Sequence, residues 1–133
     1  MTKKFLLVTN NGKAVTLYEK HAHIGIDYLK EESFLSVLIR VRDLIHAGWH
    51  LMSHPQASNL KPNQSPYKTV LLSNGRELQP FSQDVDMVER SIDAFHKFTK
   101  GMRVPKWPEK TLRDFQTIDL AVVESAIGRA LML

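Results

Sequence analysis

Side chains suited to chemistry near neutral pH concentrate between Arg42 and Tyr67. Arg42 and His46 stand one helical turn apart in a stretch where Phe34, Val37, Leu38, Val41, Leu44 and Ile45 recur at helical spacing. On a helical wheel Arg42 falls at about 80° and His46 at about 120° from Phe34, inside an apolar arc that Leu38 and Ile39 bracket. Both are therefore expected to face inward. An inward guanidinium must find an anion or several acceptors, because burying it unpaired is very costly. Two kinds of partner are open: an internal carboxylate such as Asp27 or a set of backbone carbonyls, and an anionic ligand held through both arms of the guanidinium fork.

His46, His50 and His54 also repeat every fourth residue. Gly48 and the strand-like run behind it break the helix that would set their rings on one face, and no carboxylate joins them at a recognised ligand spacing, so no metal is expected. His54 is the best single candidate for acid/base catalysis, since it stands where a strand ends and a proline-held loop begins. That loop, Ser53 to Tyr67, is too long for a passive connection, and Pro55, Pro62 and Pro66 stiffen it. Its Ser, Asn, Gln and Lys residues suit a preorganised binding surface, with Lys61, Asn63 and Tyr67 as contacts; Asn59 and Asn63 suit turn caps equally well.

The elements that must position these groups follow from periodicity. Phe5 to Thr9 is a short apolar run that reads as a strand buried on both faces. Asn11 to Tyr18 is ambiguous between hairpin and helix, and the helix is preferred because His23 to Leu29 alternates Ile24, Ile26 and Tyr28 as a better strand. A helix is predicted from Ser33, its N-cap, to Gly48. Short strands follow at Trp49 to Ser53 and Lys68 to Ser73, then helices from about Asp84 to Lys100 and about Thr117 to Leu131. Strands separated by helices argue for a small, mostly parallel sheet of about four strands in a three-layer, Rossmann-like α/β arrangement with a helical C-terminal portion. Ligands in such sheets bind beyond the C-terminal strand ends, which here carry Asn10, Asn11 and His54.

The 133 residues fit one domain, read as 1–133. There is no cysteine, which removes disulfides, thiolate ligands and thiol nucleophiles. No apolar run approaches the ~20 residues that cross a bilayer, and the N-terminus lacks the long apolar region of a secretory signal, so the cytoplasm is the expected compartment. A net charge of +4 favours weak attraction to anions. Basic residues gather around Trp107 between positions 97 and 113; this mixture fits a nucleic-acid surface, a reading disfavoured because solvated helix ends look the same. No phosphate loop, dinucleotide fingerprint or nucleophile elbow is present, and no cofactor is expected.

The motifs Thr9-Asn10-Asn11, Val41-Arg42-Asp43-Leu44-Ile45-His46-Ala47-Gly48, His54-Pro55 and Lys61-Pro62-Asn63-Gln64-Ser65-Pro66-Tyr67-Lys68 together resemble the GrdX family in order and spacing. The chain departs from the family pattern at Trp49, Ser58 and Gln64, where that pattern has histidine, glycine and glutamate. The resemblance implies an association with glycine, sarcosine and betaine reductase gene clusters of amino-acid-fermenting bacteria, and reductase components as protein partners. It groups Asn10, Asn11, Arg42, Asp43, His46, His54, Lys61, Asn63 and Tyr67 without giving any of them a catalytic role.

These readings converge on a binding protein. Arg42, His46, His54 and Lys61 are expected to make a positive pocket at the sheet edge, with Asn10, Asn11, Asn63 and Tyr67 around it, for a small anionic metabolite such as an amino-acid-like carboxylate or a phosphate. The alternatives are an enzyme using His54 as general acid/base beside Lys61 or Tyr67, and a protein-interaction module using residues 97–113.

Overall fold

The computed structural model describes residues 3–57, 61–62, 64–103 and 105–132. The elements run in the order β1 Phe5–Thr9, α1 Gly12–Tyr18, β2 Ile24–Tyr28, α2 Phe34–His46, β3 His50–Leu51, β4 Thr69–Ser73, α3 Phe81–Thr99 and α4 Glu109–Met132. The ambiguous stretch after β1 is helical: the Asn11 side chain accepts the Lys13 N–H and caps α1. Ser33 caps α2 in the same way through the Ser36 N–H. Gly48 follows that helix at φ 112°, a conformation that glycine adopts at little cost.

The four strands form one sheet in the order β2-β1-β4-β3. β1 and β2 are parallel, but β4 runs antiparallel to both β1 and β3, so the sheet is mixed and the expected mostly parallel, Rossmann-like arrangement is not what forms. The cause lies in the connection. Parallel neighbours need a crossover, usually a helix, to carry the chain back to the starting edge. Among the described residues no helix lies between β3 and β4, and the chain re-enters the sheet at the edge it left from. A run such as Val70-Leu71-Leu72 reports burial on both faces, which a central antiparallel strand satisfies as well as a parallel one.

Helices cover both faces. Leu7, Leu71, Phe5 and Ile24 pack against Ala14 of α1 and Leu120, Val123, Ala126 and Ile127 of α4. Val8, Val70 and Leu72 pack on the other side against Val37, Val41 and Ile45 of α2 and Val88 of α3. The β1–β2 and β2–β3 connections thus lie on opposite faces. The end of β1 lies beside the start of β4, and a crevice opens at this edge of the sheet.

Two charged side chains, Asp84 and Lys68, are among the fully buried residues. Asp84 is satisfied within the chain, accepting hydrogen bonds from the Leu51 N–H at 3.4 Å and from the Gln79 amide, with His50 Nδ1 at 4.0 Å. Lys68 is different, and the crevice is built around it.

Candidate functional site

Strand alternation divides the crevice into two halves. Thr9, Thr69 and Leu71 point toward α4, whereas Lys68, Val70 and Leu72 point toward α2 and α3.

On the α4 side a closed polar network spans the strand ends. The Thr69 hydroxyl donates to Asp119 Oδ2 at 2.7 Å, leaving its oxygen to accept from the Thr9 hydroxyl, also at 2.7 Å. Thr9 Oγ1 in turn accepts the Asn11 N–H at 2.9 Å. Asn11 Nδ2 donates to Asp119 Oδ2 and to the Gln116 carbonyl, both at 3.0 Å, and Gln116 Nε2 donates to the Tyr67 hydroxyl at 3.1 Å. Burial pushes the Asp119 carboxyl above its ordinary value, opposed by the hydrogen bonds from Asn11 and Thr69 and by the charge of Lys68. This half has the character of a structural latch joining α4 to the sheet.

Asn10 ties the halves together. Its Nδ2 donates to the Glu32 and Pro66 carbonyls, each at 2.9 Å, and its Oδ1 accepts the Lys68 N–H at 2.9 Å. One side chain thereby fixes the end of β1, the approach to α2 and the last residues of the long loop.

On the other side Lys68 lines a cavity of about 300 Å³ together with Phe34, Leu38, Pro55, Lys61, Gln64 and Phe98. Its residue is only 2% exposed. Nζ donates to the Ala57 carbonyl at 3.1 Å and sits 5.6 Å from the centre of the Phe34 ring. It takes part in none of the ion pairs among the described residues. Desolvation lowers its pKa from 10.5 to about 8, against the pull of the more distant Asp119 charge. Lys61, across the same cavity, holds its Nζ 5.0 Å from the centre of the Phe98 ring. A second, mostly apolar cavity of about 330 Å³ shares Phe34 and Pro62 with the first and extends to Phe95, Met102 and Trp107.

Of the residues singled out in the sequence, Asn10, Asn11, Lys61 and Tyr67 gather at this edge, Asn11 and Tyr67 on the α4 side and Lys61 at the cavity. His54 begins the loop, but it is exposed, and its neighbours Pro55 and Gln56 line the cavity instead. His54 Nδ1 accepts the Gln56 N–H at 3.0 Å, which leaves the ring hydrogen of the neutral form on Nε2. Partial desolvation, and then the Lys68 charge, lower its pKa. Asn63, with Ser58 and Asn59, lies outside the described residues.

The inward placement expected for Arg42 and His46 is not observed. Arg42 is about one third exposed on the flank of α2 and pairs with Glu89 of α3 at 3.8 Å, while Asp27 is bound by Arg40 instead. His46 is exposed, with its ring edge-on to Phe81 at 5.6 Å. The buried set Phe34, Val37, Leu38, Val41 and Ile45 lies within about 60° of Phe34 on the wheel. Ile39 made the arc look wider because it packs separately beside Phe34, Leu38 and Ile92. Distance along the axis separates them too: Leu38 lines the cavity, and Arg42 and His46 follow roughly 6 and 12 Å further along the helix. The three histidines at four-residue spacing face unrelated partners, and among the described residues no group of acids and histidines is arranged to hold a metal ion. Trp107 is half-buried and edge-on to Phe115.

Two central groups escaped the sequence reading although each left a signal. Lys68 shares strand parity with Val70 and Leu72, so an inward β4 carries an inward lysine. Asp119 lies four, seven, eight and eleven residues before Val123, Ala126, Ile127 and Ala130, all buried, which puts it on the inner stripe of α4.

A family model described as GrdX-like protein matches residues 6–128, nearly the whole chain. No curated protein and no solved structure matches it.

Proposed function

The chain belongs to the GrdX-like protein family, and we propose that it is a small accessory protein that binds an anionic metabolite in the cavity beneath the loop between β3 and β4, with Lys68 holding the acid group. The supporting observation is that Lys68 is buried at the cavity and takes part in none of the ion pairs among the described residues. A buried ammonium carries a desolvation cost, and retaining one beside an open cavity is reasonable where a ligand's negative charge offsets it. Lys61 adds a second cation, and Gln64 and Gln56 add hydrogen-bonding groups at the rim. Phe34, Leu38 and Phe98 offer an apolar wall for the rest of the molecule, and about 300 Å³ lies at the small end of metabolite sites.

An amino-acid-like carboxylate with an apolar side chain fits that combination of charge and wall better than a bare phosphate. It also agrees with the amino-acid reductase metabolism that the family resemblance implies. Reductase components and a cytoplasmic setting belong to the same proposal; no helix among the described residues is long and apolar enough to cross a membrane.

The test is thermal unfolding at pH 7 against a panel of amino-acid-derived carboxylates and inorganic phosphate. A ligand at one hundred times its Kd stabilises by about 2.7 kcal/mol, a shift that is easily read. The shift should vanish in Lys68→Met. It should also weaken as pH rises through 8, where the ammonium loses its proton. A panel without one stabilising anion removes the proposal.

A further inference from the structure

Lys68 is set up for more than charge recognition. It is the one buried lysine among the described residues, and among them its Nζ has a single acceptor, the Ala57 carbonyl. The remaining valences of the nitrogen are not taken by another side chain among the described residues, and the aliphatic stem is enclosed with Phe34 and Leu38 at the cavity wall. A desolvated amine in an apolar-walled cavity is the arrangement by which lysine becomes a nucleophile toward carbonyl carbon. Lys61 lines the same cavity, and a carboxylate held by it would leave the neighbouring carbon to Lys68.

We infer that Lys68 forms an imine with a 2-oxo acid bound in the cavity, the carboxylate facing Lys61 and an apolar side chain lying against Phe34, Leu38 and Phe98. This rests on the anion-binding reading of the same cavity and adds a bond to it. The Nζ lone pair attacks the carbonyl carbon, the C=O π pair moves to oxygen, and that oxygen takes a proton to give a carbinolamine. Nitrogen gives up one proton, the hydroxyl takes one and leaves as water while the nitrogen lone pair forms the C=N bond, and loss of the second nitrogen proton gives the imine. Amine and ketone become imine and water with no change of oxidation state. Protonation of the imine restores a positive charge at the position of the former ammonium, so the carboxylate of the bound acid keeps its electrostatic partner.

The lowered pKa makes the step feasible at neutral pH. With the value near 8, roughly one tenth of Lys68 is free amine at pH 7, about 300-fold more than for a lysine at 10.5.

The full chain is equilibrated with pyruvate or 4-methyl-2-oxopentanoate at pH 7, quenched with sodium borohydride, and mapped by peptide mass spectrometry. The expected result is a reduced adduct at Lys68 with at least tenfold higher occupancy than at any other lysine, favouring the longer acid. The 2-hydroxy analogues, which cannot form an imine, are measured beside them by thermal shift. Lys68→Arg cannot form the adduct, so trapping at this position should be lost while the weak adducts at other lysines persist. If that variant does not fold, the trapping rate of the unaltered protein is followed from pH 6 to 9.5. A rise that levels off just above pH 8 supports the imine, and one still climbing tenfold per unit at 9.5 overturns it. Adducts absent or spread evenly over the lysines, with the hydroxy acids still stabilising, overturn the covalent step and leave anion binding intact. Stabilisation by neither class removes both.

Discussion

Replacing Lys68 with methionine separates a lysine kept for a ligand from one kept for the fold. The two side chains have similar length, and the apolar surroundings of Phe34 and Leu38 accept a thioether. In the folded protein the ammonium loses its proton near pH 8, against 10.5 ordinarily. That difference of about two and a half pH units corresponds to roughly 3 kcal/mol that folding loses at pH 7 by keeping this charge. Between 8 and 10.5 the unfolded chain binds more protons than the folded one, so this cost diminishes as pH climbs and is fully present below 8. Methionine forgoes the hydrogen bond to the Ala57 carbonyl, but Ala57 is exposed and water can replace the donor. Urea denaturation should therefore find Lys68→Met more stable than the unaltered protein by about 1–3 kcal/mol at pH 7, with the gap closing toward pH 10. A variant less stable at pH 7 by more than about 1 kcal/mol, or a gap that ignores pH, would refute the claim that this charge opposes folding.

On the opposite face, Asp119→Asn keeps an acceptor for Thr69 and Asn11 and should change stability by less than about 1 kcal/mol at pH 7. Because burial raises the acid's pKa, the asparagine variant should compare more favourably at pH 7 than at pH 4 in paired denaturation curves. Asp119→Leu strands both donors and should cost about 2–4 kcal/mol in the same assay. Arg42→Ala removes a half-exposed ion pair, so chemical denaturation should detect no more than about 0.5 kcal/mol and ligand binding should be unchanged. Lost binding would restore Arg42 to the site. NMR titration of His54 should give a midpoint below the ordinary 6.5, moving upward in Lys68→Met as the neighbouring positive charge disappears; an unmoved midpoint would mean that the two groups do not sense each other.

Helix and strand identity was largely legible, because apolar periodicity reports which face of an element is buried. Phe5–Thr9, Ile24–Tyr28, Phe34–His46 and Thr69–Ser73 lie within or against the predicted stretches. Strand direction was not legible: Val70, Leu71 and Leu72 look the same whichever way β4 runs, and the missing helix after β3 was the only pointer. Helix ends shifted for local reasons. α3 begins at Phe81, directly behind Pro80 as N-cap, and α4 at Glu109, directly behind Pro108, both earlier than apolar spacing alone suggests.

At the site the same logic applied residue by residue. Asn10 and Asn11 were legible as buried polar residues of the sheet edge because they follow a buried strand. Arg42 and His46 were misplaced because Ile39 belongs to a different packing cluster from the rest of the α2 stripe. Lys68 and Asp119 were passed over because charged residues in apolar elements are usually read as exposed, although strand parity and helical spacing said otherwise.

The three-way grip of Asn10 has a mechanical consequence for the cavity. Pro66 and Lys68 are fastened to the same side chain that holds the Glu32 carbonyl before α2, so moving either one outward breaks a bond to Asn10. On the proposed reading a metabolite reaches the cavity past Pro55, Gln56, Lys61 and Pro62, the lining residues that Asn10 does not hold. On that reading, substitutions at Pro55, Gln56 or Pro62 should alter how quickly a ligand exchanges, whereas loosening Asn10 should alter where the Lys68 amine is held.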